Sequence, residues 1–219
     1  MPSNASISKI KATKSYGGNV ILTKRNTMNL CNELIEKNNY LFIHPFDDSK
    51  IIEGSGTISL EIIKEIKELD YAFISIGGGG LISGVAESFK QINPKIKIIG
   101  VEPTNSNLMT RSINSNKPET LEPNNKSETI ADSLAPPFIG KIAFEYVKKY
   151  VDDIINVSEI EIIESTKEIM NKLKVIAEPG AAACFAPILH RKLNIRKKSK
   201  CLVLLCGGNI DLNKVAKLF

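Results

Sequence analysis

The chain has 219 residues, a formal net charge of +5, 42% hydrophobic residues and 24% charged residues. This length and composition predict a globular protein with one full domain, or one domain and part of another. No apolar run approaches the ~18 residues of a membrane span, and the first residues lack the apolar core of a signal peptide. We therefore expect a soluble, cytoplasmic protein with no membrane partner.

Cysteine and lysine usage narrow the classes of ligand and partner. The four cysteines form neither a CxxC pair nor a zinc-ligand pattern, which predicts free thiols and no zinc site. The basic cluster at residues 191–200 contains no interleaved aromatic residues, which single-strand nucleic-acid binding favours. We therefore expect no nucleic-acid partner.

The first 45 residues are predicted to contain two short strands and one helix. Apolar runs predict strands at residues 19–23 and 40–43, and helical spacing predicts a helix over residues 28–36. His44 lies beside Pro45 in the next loop. A histidine in such a loop is more often a structural hydrogen-bonding group than a catalyst.

A pair of glycines and a threonine predict the start of the next helix. Gly54 and Gly56 bracket a predicted turn. Thr57 can cap a helix that begins there, because its hydroxyl can accept a hydrogen bond from a free N–H of the first turn. Apolar residues at helical spacing continue this predicted helix to about Leu69.

Four consecutive glycines, residues 77–80, lie between a strand pattern and a helix pattern. Residues 71–76 are mostly apolar and predict a buried strand, and apolar residues recur at helical spacing from Leu81 to Phe89. Glycine has no Cβ, so the backbone can turn sharply and present its N–H groups to a ligand. The helix adds free N–H groups and the positive end of its dipole. This unit predicts a phosphate site, and a tight turn without a ligand is the simpler alternative.

The rest of the chain alternates strand patterns with helix patterns. We predict strands at 97–101, 154–157 and 201–206, helices at 139–149, 158–173, 181–192 and 212–218, and a polar loop at 114–128. Several strands are continuously apolar, as in a sheet that is covered on both faces. This alternation predicts an α/β protein with a mainly parallel sheet, in which ligands bind beyond the carboxyl ends of the strands.

The spacing of the glycines restricts the kind of phosphate ligand. A P-loop would need Gly-Lys-Ser/Thr after the turn, and a dinucleotide site would need G-x-G-x-x-G. Neither pattern is present, although Glu102 lies about 20 residues further on, where a ribose-binding acid would sit. A cofactor with a single phosphate fits the four glycines better, and a Rossmann-like nucleotide-binding domain is the alternative.

Six motifs occur in a fixed order along the chain: GGGGLISG, IIGVEP, TIADSLA, VDDIINVSEIEI, AEPGAAA and LLCGGNID. In this order the chain resembles the serine/threonine dehydratase family of fold-type II pyridoxal phosphate (PLP) enzymes, which includes threonine ammonia-lyase and serine racemase. The resemblance extends over essentially the whole chain. It implies a tryptophan synthase β-like large PLP-binding domain at residues 46–219, incomplete on its N-terminal side, and a remnant of the small domain at residues 1–45.

The resemblance also implies roles for individual residues. The cofactor phosphate would be held by the glycine loop and the next N–H group, that is by Gly77, Gly78, Gly79, Gly80 and Leu81. Cys206 would face the pyridine nitrogen, Glu178 would form an acidic wall of the site, and Asn209 would brace the turn behind Cys206. Without the resemblance, Cys206 reads as a buried small hydrophobic residue.

Two parts of the family pattern are not found in this chain. The lysine that forms a Schiff base with the cofactor and the Ser-x-Gly-Asn-His run that clasps the substrate carboxylate have no counterpart here, so the catalytic residue is unknown. We expect the chain to lack roughly the first half of the small domain. We expect no metal, because Leu108 stands where cation-binding relatives carry Asp.

The resemblance implies an activity for the complete enzyme. The complete enzyme would be a PLP-dependent threonine/serine ammonia-lyase, which converts L-threonine to 2-oxobutanoate and ammonia. It would take an amino-acid substrate and assemble as a homo-oligomer. Three alternatives stay open: a non-catalytic PLP-binding or complementing fragment, a serine racemase-like activity, and a nucleotide-binding Rossmann-like domain. The sequence does not separate threonine from serine as the substrate.

Overall fold

The structure is a computed structural model that describes residues 1–3, 5, 7–122, 128–211, 215, 216 and 218. The described residues form two compact units. One contains residues 1–43 with the described residues of 209–216, and the other contains residues 44–208 with Leu218. The assignment of residues 1–45 to a small domain and of residues 46–219 to a large domain stays a prediction.

The first unit contains two helices, α1 (Ile7–Ser15) and α2 (Thr27–Asn38), and neither helix has a buried residue. The predicted helix over residues 28–36 is confirmed. Asn26 Oδ1 accepts hydrogen bonds from the N–H groups of the first turn of α2, at 2.9 and 3.2 Å.

The two predicted strands of this unit, at residues 19–23 and 40–43, are wrong. Both runs lack strand hydrogen bonding apart from an isolated bridge between Pro2 and Thr23. Apolar side chains in the second run are open to solvent, with Leu41 88% exposed. A strand forms only when another strand pairs with it. Within the described residues, residues 21–23 pair with residues 1–3 at this one bridge only, and residues 40–43 have no strand partner. The predicted helix at residues 212–218 lies largely outside the described residues.

The second unit is built on a four-stranded parallel sheet with the order β3-β2-β1-β4. The strands are β1 (Tyr71–Ser75), β2 (Lys97–Pro103), β3 (Asp153–Val157) and β4 (Cys201–Val203). The predicted parallel α/β fold is therefore confirmed. The last strand is shorter than the predicted range of 201–206.

Helices cover both faces of the sheet. They are α3 (Ser49–Glu65), α4 (Gly80–Ile92), α5 (Leu108–Ser115), α6 (Lys141–Tyr150), α7 (Glu159–Leu173), α8 (Pro179–Ala182) and α9 (Ala186–Leu189). Alternate residues of β1 point to the two faces. Ala72 and Ile74 join the core beneath α4 and α6, and Phe73 joins the core beneath α7 and α9. None of the helices in the described part of the chain combines the length and the apolar character that a bilayer crossing requires.

The prediction that this helix starts at Thr57 is wrong, because Gly54 and Gly56 lie inside α3. The helix begins at Ser49, where the Asp48 carboxylate accepts a hydrogen bond from Lys50 N at 2.8 Å, and it continues through both Gly54 and Gly56. A Cβ on Gly56 would lie 2.5 Å from Ser88 Oγ and 3.2 Å from Gly84 O of α4. Gly56 therefore allows two helices to approach each other, and it does not mark a turn.

The predicted start of α7 is correct, whereas the single helix predicted at residues 181–192 is wrong. The capping box before α7 is confirmed, since Ser158 Oγ accepts from Glu161 N at 3.3 Å and Glu161 Oε2 accepts from Ser158 N at 2.6 Å. The single helix predicted at residues 181–192 is instead α8, a 3-10 turn and α9. Pro187 lies in α9 and has no N–H to continue a regular α-helix.

Candidate cofactor site

The glycine loop joins the carboxyl end of β1 to the first turn of α4. Gly79 precedes the helix with φ of 99° and ψ of −10°, a left-handed conformation that residues with a Cβ rarely adopt. Gly79 occupies the N-cap position and has no side chain that could cap this helix end. The N–H groups of the first turn, which include that of Leu81, have no acceptor within the helix, so they are available to a ligand.

The first two glycines of the loop are confined on one side by other parts of the chain. A Cβ on Gly77 would lie 2.8 Å from Ser133 O, and a Cβ on Gly78 would lie 2.4 Å from the Phe46 ring. Both glycines are half-buried. Their packed side therefore has no room for a side chain, while their other side reaches solvent.

The last two glycines are buried and equally confined. A Cβ on Gly79 would lie 2.8 Å from Ala143 Cβ, and a Cβ on Gly80 would lie 2.5 Å from Phe46 O. Ser83 fixes this end of the loop, because its buried hydroxyl donates to Gly79 O at 2.7 Å. The loop is thus held by protein contacts at each of its four glycines.

The segment 44–47 holds the outer side of the loop. His44 Nδ1 accepts hydrogen bonds from Phe46 N at 3.3 Å and from Asp47 N at 2.8 Å, which confirms the structural interpretation of His44. The Asp47 carboxylate accepts from the first N–H groups of α6, those of Lys141 at 3.0 Å and Ile142 at 2.9 Å. Sequence reasoning missed Asp47, because its partners lie almost 100 residues further along the chain.

Glu178 and Cys206 lie beside each other at the carboxyl end of β4. Glu178 N donates to Gly207 O at 3.0 Å, and a Cβ on Gly207 would lie 2.8 Å from Glu178 Oε1. The Cys206 side chain reaches solvent, so its interpretation as a buried hydrophobic residue is wrong. Protein on its inner side shields the thiol from water and, together with the charge of Glu178, raises the pKa of Cys206 above its ordinary value.

Ser133 connects the glycine loop to the region of Glu178. Its carbonyl oxygen packs on Gly77, and its hydroxyl lies so close to Gly180 that a Cβ there would be 2.1 Å away. Gly180 lies in α8, whose N-cap residue is Glu178. The structure therefore brings the predicted glycines, Glu178 and Cys206 to one end of the sheet. Asn209 belongs to the first unit, and its role stays a prediction.

Glu102 has a different environment from the one that a nucleotide site would need. Its side chain is 1% exposed, and its two carboxylate oxygens accept from Met109 N, Thr110 N and Thr110 Oγ1 at 2.7–2.8 Å. The carboxylate therefore caps α5 and is not directed to a ligand. Burial raises the pKa of Glu102 to about 7, against the opposing effect of these hydrogen bonds.

The cysteines agree with the prediction of free thiols, since all four are unpaired. Cys184 is fully buried beneath β4, where its thiol contacts Ala181 O at 3.0 Å. Burial raises the pKa of Cys184 to about 12, so this thiol stays neutral. Among the described residues, no group of three or more His, Cys, Asp or Glu side chains could hold a metal ion.

The sequence matches the family model described as "Pyridoxal-phosphate dependent enzyme" over residues 1–207. The L-threonine ammonia-lyase of Thermotoga maritima is 37% identical over the whole chain, and the aligned region is 54% of that relative. The catabolic L-threonine dehydratase TdcB of Escherichia coli K12 is also 37% identical, with 67% of it covered. The structure of maize serine racemase superposes with a TM-score of 0.90 and 34% identity, covering 99% of this chain and 67% of that one.

The fold defines a fold-type II α/β protein, and its glycine loop has the geometry that a phosphate site requires. The chain belongs to the family of pyridoxal-phosphate dependent enzymes, in agreement with the resemblance found in its motifs. PLP is therefore its cofactor class, and a loop with confined glycines and free N–H groups fits a monophosphate. The chain spans 54–67% of the length of the threonine ammonia-lyases compared above.

Proposed function

We propose that this chain is the cofactor-binding part of a PLP-dependent ammonia-lyase that acts on L-threonine or L-serine. The observation that carries the proposal is the loop at residues 77–80. Its left-handed Gly79 opens α4, and its packed side admits no Cβ at any of the four positions. The similarity to threonine ammonia-lyases at 37% identity supports the reaction.

In this proposal the chain's own residues bind and orient the cofactor. The backbone N–H groups of the glycine loop and Leu81 donate to its phosphate, and the positive end of the α4 dipole favours that charge. When bound, PLP withdraws electrons from an attached amino acid, which makes loss of an α-proton and of a β-hydroxyl possible. The contacts of Phe46 and Ser83 keep the loop in place before a ligand arrives.

Cys206 and Glu178 would have different roles in the site. The raised pKa of Cys206 keeps its thiol neutral, so it can hydrogen-bond to the ring nitrogen without acting as a carboxylate that holds the ring protonated. Glu178, at the start of α8, would supply a negative wall that favours the ammonium group of an amino acid. Both assignments come from the family resemblance.

The experiment is a PLP titration of the purified 219-residue chain, followed by absorbance and fluorescence. We expect saturable binding that inorganic phosphate weakens and that Gly78→Leu abolishes, because a side chain there would enter the Phe46 ring. The matched control is Gly54→Ala, where a Cβ meets no atom within 4 Å. A chain that folds but shows no PLP binding would refute the proposal.

A second experiment separates turnover from binding. We expect no covalent attachment of PLP to a lysine after borohydride reduction, and no 2-oxobutanoate from L-threonine by this chain alone, because no lysine here matches the family motif. Both should appear when a polypeptide that carries this lysine is added. D-serine formation from L-serine would favour the racemase alternative, which the similarity to maize serine racemase supports.

The complementing-fragment alternative has an observation of its own. Neither helix of the first unit contains a buried residue, and apolar side chains at residues 40–43 are exposed. Apolar surface of this kind is usually covered by a partner. Restoration of activity by an added lysine-bearing polypeptide would separate a complementing fragment from a non-catalytic PLP-binding fragment, and turnover by the isolated chain would refute both.

A further inference from the structure

The Ser133 side chain has a position in the site that neither the motifs nor the proposed roles use. It lies in the 3-10 turn Asp132–Leu134. A hydrogen bond from Ser106 Oγ to Leu134 O at 2.8 Å fixes this turn. The Ser133 residue is exposed, and within the described residues its hydroxyl has no hydrogen-bond partner. Ser133 thus lies in a fixed turn and presents its hydroxyl to solvent as a hydrogen-bond donor.

Ser133 is placed between the two parts of the candidate site. Its carbonyl oxygen packs on Gly77, the first glycine of the loop, and its hydroxyl packs on Gly180, two residues after Glu178. Ser133 therefore neighbours both regions that the proposed ligand would contact.

We infer that the Ser133 hydroxyl is an additional ligand contact of this site, which donates a hydrogen bond to an anionic oxygen of the bound molecule. The inference rests on the proposed PLP-binding function. The oxygen can come from the cofactor or from the carboxylate of the amino acid, and the two sources are separated by the titrations below. A hydroxyl that donates to a charged oxygen makes a stronger bond than one that donates to a neutral group.

Gly180 leaves the room that this hydroxyl occupies. A Cβ at Gly180 would lie 2.1 Å from Ser133 Oγ, whereas its next contacts, Leu134 Cγ at 3.4 Å and Ser133 Cβ at 3.5 Å, are ordinary. The Gly180→Ala substitution would therefore turn the Ser133 hydroxyl away by rotation of its side chain and leave the backbone in place. Two different substitutions should then remove the same contact.

The test compares Ser133→Ala, Gly180→Ala and the double variant with the unchanged chain, using PLP titration by fluorescence. If the oxygen belongs to the cofactor, each single variant should raise the PLP dissociation constant about tenfold, as expected for a hydrogen bond to a charged group. The double variant should show no further loss, because both changes remove one contact. Thr104→Ala, at an exposed position of another 3-10 turn, is the matched control and should bind normally.

If the oxygen belongs to the amino acid, PLP binding is unchanged and the same loss appears when L-serine is titrated into the PLP-loaded chain. Unchanged affinity of Ser133→Ala for both PLP and L-serine would overturn the inference. A failure of the unchanged chain to bind PLP would instead overturn the proposed function. Urea unfolding of each variant separates loss of a contact from loss of the fold, and equal midpoints are expected for Ser133→Ala and the unchanged chain.

Discussion

Gly84 lies in α4 at the crossing with α3, and we predict that Gly84→Ala destabilises the protein. A Cβ at this position would lie 2.0 Å from Ile52 O and 2.7 Å from Gly56 N. Both obstacles are backbone atoms of α3, which no rotation of a side chain can remove. Because real Cβ contacts are essentially never shorter than 3.0 Å, the helices must separate locally by about 1 Å.

The size of the effect follows from two opposing contributions. Forcing a methyl group into a packed interface costs about 1–3 kcal/mol, and a backbone clash places Gly84→Ala in the upper part of that range. Alanine also gains about 1 kcal/mol of helix propensity over glycine. We therefore expect the free energy of unfolding to fall by about 2 kcal/mol.

Urea unfolding followed by circular dichroism measures this change. Gly54→Ala is the control within α3, since a Cβ there meets no atom within 4 Å, and it should raise the free energy of unfolding by about 0.5–1 kcal/mol. Gly84→Ala and Gly54→Ala thus share the same gain in helix propensity. They differ only in that Gly84 lies at the crossing of α3 and α4. Equal urea midpoints for the two variants would refute the packing argument.

Three further predictions concern the loop, its support and a buried acid. Gly79→Ala should weaken PLP binding at least tenfold in a fluorescence titration, because φ of 99° strains alanine and its Cβ would meet Ala143; unchanged affinity would contradict this. Asp47→Ala should lower the free energy of unfolding by about 1–2 kcal/mol through loss of the α6 cap, with Asp47→Asn closer to the unchanged chain. The pKa of Glu102 is about 7 in the fold, above its ordinary 4.5, so the folded chain holds that proton more tightly than the unfolded chain. The free energy of unfolding should therefore fall, by at most about 3 kcal/mol, as the pH rises from 5 to 8, and Glu102→Gln should lose this slope; a parallel slope in both would contradict the assignment.

Local patterns predicted the elements whose structure depends on neighbouring residues. The buried strand at residues 71–75, the glycine turn and α4 follow from the periodicity of one short stretch. The capping box of Ser158 and Glu161 is also local, since its two hydrogen bonds join residues three apart. The parallel sheet then followed from the alternation of such units.

The wrong predictions involve contacts between distant residues. Gly56 lies inside α3 at the point where Gly84 of α4 approaches it, and nothing within a short window around Gly56 distinguishes such a helical glycine from a turn. Sequence reasoning also missed two helix caps, that of α6 by Asp47 and that of α5 by Glu102. Asp47 and the N–H groups that it caps are almost 100 residues apart in the chain. The apolar run at residues 40–43 reads as a strand, but strand formation requires a pairing partner that its own sequence cannot supply.

The glycine loop shows how local and distant contributions combine in one site. The four glycines give the backbone access to the left-handed turn at Gly79, but they also leave the loop more conformational freedom than any other residues would. Contacts from Phe46, Ser133 and Ala143, which lie in three separate segments, remove that freedom in the fold. The N–H groups are then already oriented when a ligand binds, so binding costs little ordering entropy of the loop. Substitutions in the supporting segments should therefore weaken cofactor binding even where they contact no ligand, which a search for the glycine motif alone would never identify.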